Sequence, residues 1–244
     1  MRAPHIAALC LALAPAPAFA IRPFVTDDGR VVGEALLQLE TWLQVDRGSV
    51  QHWLMPAFGP HDRMEVTVGV VHGATYGAEP PRYSLNGPLV QVKILLEHAQ
   101  MNSWPGGAIA FGSLLPFGFG GFPGTQGGFT YLALTENLGE NEWLLIHANV
   151  GVSVRRHEHG AGYGARPLLG LGAQLRTFAG LHAVGEIAYG DAFTGEDTGI
   201  VQLGGRYIFN DHVQMDFTVG HGVFGTLRPL WGTLGLRLVT GELF

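Results

Sequence analysis

Cysteine is almost missing: the 244 residues hold one, Cys10. It falls in a stretch read below as a leader, so the expected mature chain has neither a disulfide framework nor thiol chemistry. Charge is scarce as well. Asp, Glu, Lys and Arg make up 14% of the chain, against about 25% in ordinary soluble domains. The balance is acidic, 20 residues against 14 basic ones, which argues against nucleic acid as a partner, since phosphate binding wants clustered Lys and Arg. No apolar run after residue 20 approaches the roughly 18 residues of a membrane-crossing helix. Glycine, by contrast, is abundant. Its 37 residues are about twice the usual share. An exported chain that is weakly charged, glycine-rich and without such helices has one good membrane solution. It is a closed β-barrel, in which every backbone group pairs between strands.

The first twenty residues point to export. Arg2 precedes an apolar run over 6–14, and Ala18-Phe19-Ala20 is a small-x-small cleavage site. This is the pattern of a secretory signal peptide over 1–20, with cleavage expected near Ala20–Ile21. Loss of Arg2 leaves 13 basic against 20 acidic residues, a net charge of −7. Lipidation of Cys10 is not expected, because Leu9 stands where a small residue is wanted.

The clearest pattern lies over 200–220. Val201, Leu203, Tyr207 and Phe209 alternate with Gln202, Gly204 and Arg206, then Val213, Met215, Phe217 and Val219 alternate with Gln214, Asp216 and Thr218. Asn210-Asp211 separates the two runs. Period-two alternation on both sides of a two-residue connection reads as a β-hairpin, because successive strand side chains point to opposite faces. Similar runs occupy 34–45, 50–58, 63–73, 89–97, 107–115, 129–135, 144–155, 167–177, 181–189 and 230–239. The expectation is an all-β, up-and-down antiparallel transmembrane barrel of about twelve strands. Residues 34–244 form the barrel and 21–33 an N-terminal lead-in in the periplasm. Long Gly/Pro segments at 74–87 and 116–128 read as loops. Mostly short and long connections alternate, which places both termini on the periplasmic side.

The polar faces carry both signs. Glu40, Glu65, Glu97, Glu186 and Asp216 stand against Lys93, Arg155, Arg176, Arg206 and Arg237, with His147 and Asn149 among them. These twelve are the expected lumen-lining polar residues. Opposite charges on neighbouring strands favour a cross-braced lumen over a charge-lined solute path, and the two can coexist. Twelve strands enclose more room than eight, so a passage is possible, open or plugged by loops or by residues 21–33.

Other features point to little chemistry. His157-Glu158-His159 lacks further ligands at metal-site spacing, and Gly118 to Gly124 lacks the Lys-Ser/Thr ending of a phosphate loop. Ser153 and His147 share a strand face but lie six residues apart, about 20 Å, too far for a nucleophile–base pair. A cross-strand pair keeps an envelope-lipid-modifying enzyme as a minor alternative. Trp42, Trp53, Trp104, Trp143 and Trp231, with Tyr131, Tyr189 and Tyr207, lie mostly near the expected strand ends, the level of interfacial girdles in such barrels, and each taken alone reads equally well as an ordinary packing residue.

The run Arg22-Pro23-Phe24-Val25-Thr26-Asp27-Asp28, then Gly33 and Gln38-Leu39-Glu40, resembles the opening of the outer-membrane proteins of the MetA-pathway of phenol degradation family. Arg63-Met64-Glu65-Val66 with Gly69, and Val92-Lys93, fit the same family. The resemblance is specific over 22–40 and architectural beyond. It implies a transporter-like barrel loosely associated with aromatic or other apolar small molecules. Phe244 suits a barrel-assembly signal, whereas Glu242 and Thr240 do not, so the last strand is expected to stop near Val239.

The expectation is therefore a bacterial outer-membrane channel or transporter-like barrel for passive passage of small molecules, without a cofactor or metal. Its partners would be outer-membrane lipids, the barrel-assembly machinery and a solute. The rivals are a plugged barrel with a structural or surface-interaction role, and the lipid-modifying enzyme.

Overall fold

The computed structural model describes residues 24–76, 82–120, 127–156, 162–194, 197–225 and 229–241. The leader, the His157–His159 motif and Phe244 lie outside them. Twelve strands follow in chain order: β1 (Leu37–Val45), β2 (Ser49–His61), β3 (Met64–Thr75), β4 (Arg82–Glu97), β5 (Gly106–Phe119), β6 (Gly127–Leu138), β7 (Leu144–Arg156), β8 (Tyr163–Phe178), β9 (Leu181–Tyr189), β10 (Thr198–Asn210), β11 (Val213–Gly225) and β12 (Trp231–Val239). Each pairs antiparallel with the next, and β12 returns to β1, so the sheet is a closed barrel. The closing seam runs from Gln38↔Val239 to Val45↔Gly232. Beyond it, the Leu37 N–H donates to Thr240 Oγ1 and the Thr240 N–H to the Leu37 carbonyl.

Alternation determines the two faces. On β11, Met215, Phe217 and Val219 are exposed while Gln214, Asp216 and Thr218 are buried. On β3, Glu65, Thr67 and Gly69 face inward between Met64, Val66 and Val68. The outer wall is accordingly apolar, with Leu43, Val68, Ile94, Val150, Leu171, Ile187, Leu203 and Leu234 exposed. A single polarity pattern thus sets both the register and the sidedness of the sheet.

The strands outrun the expected loops. β4 begins at Arg82 and β5 ends at Phe119, so both pass through Gly/Pro stretches read as connections. Proline lacks the N–H that a regular ladder needs, and is tolerated where the ladder is already interrupted. Such an interruption is present. Gly87 pairs with both Pro116 and Phe117, with register shifts on either side, and Pro88 sits within it.

Residues 24–36 lie against lumen side chains. Two glycines make room for this segment. A Cβ at Gly59 of β2 would collide with the carbonyls of Val32 and Gly33, and one at Gly170 of β8 would meet the Thr26 side chain. The Ala35 N–H donates to the Gly59 carbonyl (2.8 Å) and the Gly59 N–H to that of Leu36 (3.1 Å), tying the segment to the wall where it enters β1.

Candidate functional site in the lumen

The half of the lumen nearer the chain's entry into β1 is charged. Three opposite-charge pairs are direct cross-strand neighbours: Glu40 with Arg237, Glu65 with Lys93, and Arg206 with Asp216. Cross-strand pairs of opposite sign stabilise a sheet locally, and here they brace it from within. Arg237 Nε donates to Gln38 Oε1 (2.8 Å) and Arg206 to Gln174 Oε1 (2.5 Å). Gln38 Nε2 donates to Glu40 Oε1 at 3.0 Å.

The N-terminal segment completes this layer. Lys93, the chain's only lysine, is 3% exposed and lies 3.0 Å from Asp27 Oδ2 and 3.3 Å from Asp28 Oδ1. Arg30 bonds Asp28 at 2.8 Å and Glu142 at 2.9 Å. Backbone donors of the segment meet side chains of the wall. Val25 and Thr26 donate to the two oxygens of Glu186 (2.9 and 2.8 Å), Val32 donates to Glu65 Oε2 (2.9 Å), and Gly29 to Thr135 Oγ1 (2.8 Å). The Glu65 and Glu186 bonds are charge-assisted, about twice as strong as neutral ones. Tyr131 O–H adds a bond to Asp27 Oδ2 at 2.7 Å. Residues 24–32 are thus held by wall groups from β3, β4, β6 and β9.

The other half of the lumen is aromatic. Trp42 and Trp53 stack with centroids 5.3 Å apart and planes within 5°. Phe193 packs on Trp53 at 6.1 Å and on Phe129 at 5.7 Å, and Phe129 stacks on Tyr131. Phe193 comes from the connection between β9 and β10, which turns into the barrel. Arg155 holds it there by donating to the carbonyls of Asp191, Ala192 and Thr194. One cavity among the described residues, between Phe24, Trp42, Gln44, Phe193, Gln202 and Trp231, measures about 30 Å³, room for a water molecule or two. The Gln44 amide nitrogen, buried at its edge, makes no hydrogen bond among the described residues.

Of the twelve expected lumen residues, Glu65, Lys93, His147, Glu186, Arg206, Asp216 and Arg237 are buried in the interior, and Glu40, Asn149 and Arg155 are half-buried there. Glu97 and Arg176 are exposed: Glu97 is the last residue of β4, and Arg176 reaches out to the Asn141 carbonyl. His147 Nδ1 is hydrogen-bonded to Thr135 Oγ1 at 3.0 Å, not to a serine. Of the aromatics considered for a girdle, Trp104 and Trp143 are exposed, whereas Trp42, Trp53, Trp231 and Tyr131 are buried inside as packing residues. Parity carries the inward position of Trp42. Trp42 falls on the same face as Gln38, Glu40 and Gln44. No comparable local signal marked Phe193 or the seating of residues 24–32.

No protein-family model matches the chain, and no curated protein matches it in sequence. Solved structures do. An outer membrane channel from Pseudomonas putida F1 superimposes with a TM-score of 0.64 at 11% identity, covering 87% of this chain and 98% of that one. The fold is that of a porin-like barrel. The KdgM porin matches with a TM-score of 0.56 at 14% identity, over 82% of this chain and 98% of its own. The NanC porin gives 0.55 at 7% identity, over 85% and 100%.

Proposed function

We propose that this protein is an outer-membrane channel for small apolar or aromatic molecules, closed at rest by its own residues 24–33. The observation that carries the reading is the division of the lumen. An aromatic face of Trp42, Trp53, Phe129 and Phe193 leads to a segment held by ion pairs and hydrogen bonds rather than by the covalent continuity of a strand. Flat apolar solutes gain from offset stacking on such rings, and the buried Gln44 amide offers a donor to an acceptor oxygen. Sharing a fold with channels, and the resemblance of residues 22–40 to the MetA-pathway family, support the same reading. The apolar outer wall would face membrane lipid, with the assembly machinery inserting the chain after its leader is removed near Ala20–Ile21. Both termini would lie in the periplasm. No catalytic role is assigned to the lumen, where His147 serves to hold Thr135.

A second reading, a permanently plugged barrel with a structural role, draws on the cavity of about 30 Å³. Liposome flux of the refolded mature protein separates the two. The channel reading expects an apolar aromatic acid to pass faster than a sugar or a charged amino acid of similar size. Absence of flux for all three, from protein with the gel-mobility shift of a folded barrel, overturns it.

A further inference from the structure

Among the described residues, the outer wall carries a hydrogen-bonded polar cluster. Thr41, His52, His72 and Tyr83 come from four consecutive strands, β1 to β4, and all point outward. Their hydrogen bonds form a chain. Thr41 Oγ1 lies 2.7 Å from His52 Nε2, His52 Nδ1 lies 2.9 Å from His72 Nε2, and His72 Nδ1 lies 3.0 Å from the Tyr83 hydroxyl.

Donor counting fixes the direction of that chain. Thr41 spends its only proton on the Trp53 carbonyl, at 2.8 Å, so it accepts from His52 Nε2–H. Neutral His52 then presents a lone pair on Nδ1 and accepts from His72 Nε2–H. His72 in turn accepts at Nδ1 from the Tyr83 O–H. Each imidazole therefore has its outer nitrogen held by a hydroxyl, while the two inner nitrogens face each other across one shared proton.

From this geometry we propose that His52 and His72 form a binding site for a divalent ion of the late first transition row, with Cu²⁺ the tightest. Two nitrogens each about 2.05 Å from one ion and about 90° apart stand about 2.9 Å from each other, and Cu²⁺ favours such a tetragonal arrangement. The observed separation is 2.9 Å, between direct cross-strand partners. Antiparallel partners on one face keep their Cβ atoms close, so the sheet holds both ligands together, and each ring turns from the hydrogen-bond line by about 45° to aim at a shared ion in the tetragonal geometry. His52 already presents its lone pair. His72 does so when its proton moves from Nε2 to Nδ1, where it donates to the Tyr83 oxygen, and Tyr83 keeps its own proton for water. No net proton is released. Thr41 and Tyr83 then orient the two ligands through their non-coordinating nitrogens, the usual support for metal-bound histidine. His52, His72 and Tyr83 stand within four residues of the strand ends at the β1–β2 and β3–β4 connections, so the site lies at the rim rather than the middle of the wall, and water fills the remaining positions on the ion.

Cu²⁺ titration of the refolded mature protein in detergent, followed by calorimetry and electron paramagnetic resonance, tests the site. One ion per chain is expected, with hyperfine structure from two imidazole nitrogens. His52→Gln and His72→Gln each turn a two-point grip into a single one and lower the affinity about 100-fold or more. Tyr83→Phe, which keeps the ring on the wall, lowers it about tenfold. The double variant His157→Gln, His159→Gln leaves it unchanged. Every variant is first checked for the heat-sensitive gel shift of a folded barrel, and Tyr83→Phe decides the matter if the histidine variants fail to fold. Unchanged affinity and spectrum in His52→Gln and His72→Gln, or in Tyr83→Phe where it stands as the deciding variant, overturn the proposal.

Discussion

Lys93→Met is expected to destabilise the folded barrel by about 3–5 kcal/mol, the cost of leaving buried charge uncompensated. Lys93 is a wall cation in contact with both Asp27 and Asp28, and it faces Glu65 across β3 and β4. Methionine fills a similar volume, so little of the effect comes from packing. Chaotrope unfolding of lipid-inserted protein measures the loss. Adding Asp27→Asn to the same variant should recover part of it, because that carboxylate is then no longer stranded, whereas Asp28 keeps its ion pair with Arg30. A loss below about 1 kcal/mol, the range of solvent-exposed ion pairs, would mean that the residue 24–33 segment is not seated on Lys93.

Trp53→Ala carries the second large effect. Trp53 is 4% exposed and lies between the Trp42 and Phe193 rings. Truncation removes both stacking contacts, and deletion of a buried tryptophan side chain costs about 3–5 kcal/mol. In this barrel the space left behind joins the narrow cavity beside Trp42 and Gln44. The substitution should therefore weaken the fold and at the same time raise the flux of bulkier aromatic acids. Paired unfolding and liposome measurements check both. A destabilised variant with unchanged flux would place the solute path elsewhere.

The architecture was legible because the sheet leaves a period-two trace wherever one face is polar and the other apolar. Met215, Phe217 and Val219 against Gln214, Asp216 and Thr218 fixed the sidedness of β11 without any knowledge of its neighbours. The same trace runs through Glu65, Lys93, Glu186, Arg206 and Arg237, all of which are buried. It failed where two rules competed. Gly87-Pro88 and Pro116 read as strand ends, yet the ladder between β4 and β5 absorbs them in an irregular register. Glu97 kept the inward parity of β4, but the strand ends there and its side chain reaches solvent. The tryptophans exposed a different conflict, between residue type and parity, and parity decided the position of Trp42.

The filling of the lumen was not legible from local pattern. Residues 24–32 take their positions from partners that lie up to 161 residues away, as in the bond from Val25 to Glu186. Phe193 is placed by Arg155, which grips a connection whose own sequence reads as an ordinary loop. Such positions follow only from closure of the barrel, which brings distant strands around a common interior.

A cross-link between the lumen segment and the wall tests the account most directly. A Cβ built at Gly172 stands 3.6 Å from that of Thr26, within the Cβ separation of about 3.5–4.5 Å that a disulfide spans. The mature chain expected here has no cysteine of its own, so Thr26→Cys with Gly172→Cys creates the only pair. Flux of an apolar aromatic acid would be compared in oxidised and reduced liposomes. The account predicts no flux while the bond holds residue 26 to β8, and flux on reduction. Equal flux in the two states, or none in either, would contradict a channel closed by its own N-terminal segment.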